Sequence, residues 1–259
     1  MKHRSLTIAV LVSWPLLWSG AALGQEEETP RFVPIEFWGC NYLEGKSYKD
    51  LQRVIDRWNK WMDDNSSSSY TAWTLVPDFT NAGSYEMDVG WVGAWADGAD
   101  MGKAQQQTVF GDGADINSEF FKVVECPMHS SAASVNVKMP AEWPSQTSVT
   151  FFSDCTVGEG KTLQEAYQME VAWSQLMTLA GSTAGGWLWY PGWGMGDIEY
   201  DYKRVVGHPD YPSAGADFEV FTNGQGFARA GEIFAGNVTC DSPRVYATRL
   251  VRNGGVAPR

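Results

Sequence analysis

FWGCNYLEGKSYKDLQRVIDRWNKWM, residues 37–62, has a counterpart in FSDCTVGEGKTLQEAYQMEVAWSQLM, residues 152–177. Cys40 matches Cys155, Glu44-Gly45-Lys46 matches Glu159-Gly160-Lys161, and Trp58 and Met62 match Trp173 and Met177. Every pair shares one offset (155 − 40 = 115), so the two stretches align without a gap. A stretch that occurs twice at this length implies a duplicated unit, and that duplication decides the fold.

Each copy reads as a strand, a turn and a helix. Residues 37–42 and 149–156 are rich in aromatic and β-branched side chains, which suit a pleated, half-buried surface. Gly45 and Gly160 permit the chain to reverse. Ser47-x-x-Asp50 and Thr162-x-x-Glu165 have the form of capping boxes, in which the hydroxyl accepts from a first-turn N–H and the acid reaches back. Leu51, Val54, Ile55, Trp58 and Met62 then form an apolar helix stripe, as do Ala166, Met169, Trp173, Leu176 and Met177.

The N-terminus has the form of a secretory leader: a basic start (Lys2, His3, Arg4), an apolar run from Leu6 to Ala22 and small residues up to Gly24. Cleavage is expected near Gly24-Gln25, giving a periplasmic or secreted protein without a membrane anchor. Loss of residues 1–24 removes Lys2 and Arg4 and takes the formal charge from −12 to −14 (−12 − 2 = −14). So acidic a chain argues against nucleic acid and against anionic membranes as partners.

An oxidising compartment makes disulfides of the four cysteines. The repeat favours equivalent bonds, Cys40–Cys126 and Cys155–Cys240. In the chain-entropy model each is worth roughly 4–5 kcal/mol at most. There is no CxxC pair and histidine is scarce, so no metal site is expected.

The segments between these landmarks complete an α+β fold: two tandem ferredoxin-like β-α-β-β-α-β repeats packed sheet to sheet as an intramolecular pseudo-dimeric barrel. The divisions are a leader (1–24), a loose lead-in (25–36), repeat 1 (37–139), a linker (140–148), repeat 2 (149–253) and a tail (254–259). Strands are expected at 70–77 and 88–94, matched by 186–191 and 202–208. Last strands follow at 132–139 and 246–253. In that plan the last strand runs beside the first, where both disulfides can close.

The glycine–lysine turn after a strand and before a capped helix, at 42–51 and 157–166, resembles the dimeric α/β-barrel superfamily. Its members include antibiotic-biosynthesis-type monooxygenases and stress-responsive barrel proteins. The resemblance implies a barrel made from two ferredoxin-like units, and it permits a cofactor-independent oxygenase. A haem protein of the chlorite dismutase type, with one histidine ligand, is a further kind that the duplicated fold brings to mind.

Five features could carry chemistry. Gly158-Glu159-Gly160-Lys161-Thr162 looks like the end of a phosphate loop, but Cys155 stands where that loop needs glycine, and a capped turn explains the residues. Glu44 with Lys46, and Glu159 with Lys161, read as surface ion pairs. His208 is the catalytic candidate: it ends a strand where the first half has Ala94, and an asymmetric histidine suits a one-sided active site. The alternative is plain surface, and His129 is expected in a loop. Trp73, Trp91, Trp187, Trp189 and Tyr190 are candidate ligand-binding rings, with core filling as the alternative. Asp97-Gly98-Ala99-Asp100 and the 112–117 segment read as turns rather than calcium loops.

Three functions are consistent with these residues. One is binding of a small apolar or aromatic ligand without a cofactor, the second a cofactor-independent monooxygenase-like enzyme, the third a structural or partner-binding protein. A cavity lined only by rings favours the first. A cavity holding His208 beside a carboxylate favours the second, and a closed interior the third.

Overall fold

The computed structural model describes residues 30–81, 83 and 86–256. The leader assigned to residues 1–24 lies outside the described residues. The elements run β1 (Val33–Tyr42), α1 (Tyr48–Asn65), β2 (Thr71–Phe79), β3 (Val89–Ala94), α2 (Gly98–Phe110), α3 (Ala114–Phe120), β4 (Val124–Lys138), β5 (Thr147–Val157), α4 (Leu163–Leu179), β6 (Gly185–Pro191), β7 (Tyr202–His208), α5 (Tyr211–Thr222), α6 (Gly226–Phe234), β8 (Val238–Cys240) and β9 (Arg244–Arg252).

Hydrogen bonding joins eight strands in the order β7-β6-β4-β1-β3-β2-β9-β5, and β5 pairs with β7 to close the ring. The result is a mixed α+β fold around a closed antiparallel barrel. The short β8 pairs beside the end of β5, outside the ring. The two halves of the chain meet along two seams, β4 with β6 and β2 with β9. The halves therefore join edge to edge, rather than as two stacked layers. Closure leaves no sheet edge for the ring strands to expose.

Alternation along the strands sends one set of side chains inward and the other out beneath the helices. Ile35, Leu75, Val92, Phe152, Trp189 and Tyr246 fill the interior. On the outside, α1 packs Leu51, Val54, Ile55, Trp58 and Met62 onto the first half, all buried as its stripe predicts. The outer layer of the second half centres on Cys155, Leu188, Tyr202 and Phe234. Disulfides Cys40–Cys126 and Cys155–Cys240 tie the end of β1 to β4 and the end of β5 to β8.

Several expected details differ. Strand β1 begins at Val33, inside the presumed lead-in, because Ile35 and Glu36 are buried in the wall. Strand β4 starts at Val124 rather than residue 132, so Cys126 and His129 lie in a strand and not in a loop. Pairing with β1 and the disulfide override the turn-like Pro127 and serines, and the register shifts between Gly39 and Asn41 to accommodate them. In the second half the same path is broken into β8 and β9, where Pro243 has no N–H to give a ladder.

The turn glycines Gly45 and Gly160 have positive φ, 71° and 74°, as the turns require. Only one of the two capping boxes forms. Thr162 and Glu165 satisfy each other's backbone N–H groups. Ser47 makes no cap bond; its hydroxyl donates to the Asp50 carboxylate at 2.7 Å. With Asp50, one methylene shorter than Glu, at that position, the reciprocal pair of bonds is not completed.

Candidate functional site

The rings singled out in the sequence divide between the two sides of the barrel wall. Trp73, Trp187 and Trp189 face inward and line a cavity of about 130 Å³ at one barrel end. His208 lines the same cavity. Trp91 and Tyr190 point outward: Trp91 packs beneath α1 and α3 with Trp58 and Phe120, and Tyr190 packs beside Tyr202. Ile35, Phe152 and Trp189 form the floor, separating this cavity from a void of about 110 Å³ at the opposite end.

The sequence reading missed Trp143. It lies in the connector between β4 and β5, with its ring between Trp73 and Trp187 at centroid distances of 5.5 and 5.6 Å. Its indole N–H donates to the Val256 carbonyl at 3.0 Å, which fixes the ring over the cavity. A large aromatic residue in an otherwise polar connector was the available signal.

His208 is buried at the end of β7, not surface-exposed. Its pairing partner is Val149, and the equivalent pairing in the first half aligns His208 with Trp95 rather than with Ala94. That one-residue difference changes the face to which the counterpart points. Nδ1 lies 3.6 Å from Asp217 Oδ2, beyond hydrogen-bond reach, and is buried without a partner. Asp217 is held elsewhere: it accepts from Ser182 Oγ at 2.5 Å, and Lys138 Nζ donates to that same oxygen of Ser182 at 2.8 Å. Burial pushes the His208 pKa down; Asp217 opposes the shift and Lys138 adds to it. His208 is thereby held toward the neutral imidazole.

A second, larger void of about 230 Å³ lies outside the barrel wall, between the first-half helices and the sheet. Glu36, buried on β1, projects into it. Its carboxylate accepts from the Tyr70 hydroxyl and, at 3.4 Å, from Gln105, and it pairs with His129 Nε2 at 2.9 Å. The Trp91 indole N–H donates to the Tyr70 hydroxyl at 2.6 Å. Burial, followed by the neighbouring Glu36, pushes the Tyr70 pKa up, so this phenol stays a donor. A Cβ at Gly93 would stand 2.0 Å from the Tyr70 hydroxyl oxygen, so glycine there lets the ring reach Glu36. His129 stacks on Trp38, rings 3.4 Å apart. The Trp95 indole nitrogen, on the cleft wall, is buried without a partner.

The second half fills the equivalent layer. Glu170 on α4 sits fully inside, where a purely apolar stripe was expected, and Met169, Trp173 and Leu176 are only partly buried. Arg204 reaches Glu170 with Nε at 2.9 and 3.0 Å and with its terminal nitrogen at 2.6 Å. Tyr202 donates to the same carboxylate at 2.6 Å. Burial works against the Arg204 charge, and Glu170 outweighs it.

The remaining sequence candidates have local structural roles. Lys161 pairs with Glu165 at 3.7 Å instead of with Glu159. Asp97 caps α2 by accepting from the Asp100 N–H, and Asp100 accepts from the Ser69 backbone N–H. Among the described residues, the cluster Cys155, Glu170 and Cys240 has metal-ligand composition, but its sulfurs form a disulfide and its carboxylate holds Arg204.

No family model and no curated protein matches the sequence. The fold does match solved structures. A monooxygenase candidate from Fusobacterium nucleatum aligns with TM-score 0.55 and 6% identity, over 85% of this chain and 93% of its own. One from Lactobacillus acidophilus aligns with TM-score 0.53 and 10% identity, over 86% and 95%. A chlorite dismutase candidate aligns with TM-score 0.52 and 12% identity, over 87% and 98%. This chain therefore shares the fold of these solved structures, helices around an antiparallel barrel.

The haem raised by the sequence resemblance does not suit these cavities. The barrel void of about 130 Å³ has room for about one ring, not a tetrapyrrole. In the outer cleft, His129 lies flat on Trp38 with Nε2 committed to Glu36, which leaves no face of the imidazole directed at an iron.

Proposed function

We propose that this protein binds a small aromatic or apolar molecule in the cavity at the His208 end of the barrel. The observation that carries this is four tryptophans, Trp73, Trp143, Trp187 and Trp189, around a void that packing leaves open. Eight-stranded barrels are just wide enough for side chains to fill or for one small ligand to enter. The barrel is read as a fused pair of ferredoxin-like units, residues 37–139 and 149–253. The half-ring orders β4-β1-β3-β2 and β9-β5-β7-β6 support that reading. Export is part of the proposal, and two disulfides support it.

Toluene binding followed by calorimetry on the full chain tests the reading. Saturable binding to the wild type, lost when Ala94→Phe fills the void, is the expected result. Binding that survives the filling would locate the ligand elsewhere, and absence of binding would end the proposal.

A second reading, a cofactor-independent oxygenase-like enzyme, is favoured by the Glu36–His129–Tyr70 group beside the larger cleft. A buried carboxylate that orients a histidine is the pairing a general base uses. The base would take a proton from an electron-rich phenol, and the resulting anion would reduce dioxygen. Resemblance of fold to monooxygenase-like proteins supports this only as analogy. Oxygen uptake with a panel of polyphenols, abolished by Glu36→Gln, is the outcome that would establish it.

A further inference from the structure

Between its tryptophans the barrel cavity carries hydroxyls on two sides of the wall. On one side is Ser134 of β4. Its partners on the neighbouring strands, Val33 and Trp189, line the same void, so the register turns the serine inward with them. Ser134 is 3% exposed, and its hydroxyl has no hydrogen-bond partner among the described residues. On the other side are Thr150 of β5 and Thr248 of β9. Thr150 is paired with Gly207, and Thr248 with Leu75 and Ser148, all lining the void. The two threonine hydroxyls bond each other at 2.8 Å. One bond between two hydroxyls leaves the pair lone pairs to accept with and one more O–H to give. In the closed ring of eight strands β4 and β9 stand four places apart in both directions, so the two hydroxyl sets face each other across the barrel.

We propose that the barrel cavity takes a single aromatic ring with a hydrogen-bonding group at each of two opposite ends, one meeting Ser134 and the other the Thr150–Thr248 pair. This rests on the barrel-binding reading above and adds the class of ligand. Size sets the one-ring limit: an apolar cavity of about 150 Å³ takes benzene, and this one measures about 130 Å³. An occupant of that size touches both walls of the void. A hydrocarbon there seals the Ser134 hydroxyl away from water with nothing to bond, whereas a polar substituent supplies the missing partner. The tryptophans give the contact area, and the few hydroxyls fix the orientation. Fused rings enter only if Trp143 moves, and its bond to Val256 opposes that.

4-Aminophenol and p-xylene have equal heavy-atom counts and the same outline, so their comparison isolates the polar ends. The measurement is the affinity of each for the full-length wild type, for Ser134→Ala and for Thr150→Val. The expected result is a 4-aminophenol-to-p-xylene affinity ratio about fivefold lower in each variant, the loss of one hydrogen bond. A ratio unchanged in both variants, with both ligands bound, overturns the inference and leaves the binding reading intact. A ratio that responds to one substitution only overturns the two-ended arrangement. If neither ligand binds the wild type, the binding reading falls and this inference with it. A measurement independent of the variants' folding is the set of NMR contacts between bound 4-aminophenol and the wild type. Its ring protons should lie near the Ser134 β-protons at one end and the Thr150 methyl at the other; contacts to one wall alone would refute the assignment.

Discussion

The two helix–sheet layers of this molecule bury one acid each and treat it differently. In the second half Glu170 comes from the helix α4 and meets Arg204 and Tyr202, and the layer closes over them. In the first half Glu36 comes from the strand β1 and meets a phenol, a histidine and an amide, and the layer stays open. At matched register Arg204 stands where the first half has Trp91. A buried charge with a permanent counter-charge is a completed structural unit, whereas one held by neutral donors and a titratable ring keeps its capacity for chemistry. The same scaffold thus supplies a sealed half and a hollow half.

The largest test of that difference removes the cation. Arg204→Met should cost about 3–5 kcal/mol in urea unfolding, because Glu170 is left charged and buried. Glu36→Gln should cost about 1 kcal/mol or less, since the amide retains an acceptor for Tyr70. Equal losses would show that the two acids are structural in the same sense.

Next in size is the pair His208 and Trp95, of which only one titrates. The His208 pKa in the folded protein lies below its ordinary 6.5, with burial the leading cause. The unfolded chain therefore binds the extra proton first, and the folded state loses stability as pH falls below about 6.5. The slope is at most about 1.4 kcal/mol per pH unit. Asp217, Asp210 and Lys138 are the charged groups that act on the ring, the two acids opposing the shift. Unfolding midpoints between pH 7 and pH 5 should fall more for the wild type than for His208→Phe. Parallel curves would mean that His208 is not desolvated.

The smallest difference concerns the two helix starts. Thr162→Ala should cost about 1 kcal/mol by breaking the complete capping box. Ser47→Ala should cost only a few tenths of that, because its hydroxyl caps no backbone N–H. Thermal melts of the two variants would check the order, and a larger loss for Ser47→Ala would reverse the assignment.

Much of the framework could be read from residues near one another in sequence. The α1 stripe, the two glycine turns and the pairing of cysteines follow from local periodicity and from aligning residues 37–62 with residues 152–177. The reading failed where partners are distant. Glu170 was not among the stripe residues assigned to the second helix, yet it is buried against Arg204 on β7. His129 looked like a loop residue until β1 gave it Trp38 and Glu36. His208 was assigned the wrong counterpart because the constant sequence offset drifts by a residue, whereas the β-ladder fixes which side chains share a face.

The sequence by itself determined that a strand–turn–helix unit occurs twice, which cysteines pair, and which stripe of α1 faces the sheet. These follow from short-range geometry, the 3.6- and 2-residue periods and the turn glycines. Tertiary structure alone decided that the tryptophans split between a barrel cavity and an outer cleft, and that Trp143 covers the former. It also decided that one half neutralises its buried acid while the other leaves it beside a void. Those outcomes depend on ring closure and strand register, which bring side chains together across scores of residues, and no local pattern encodes that distance.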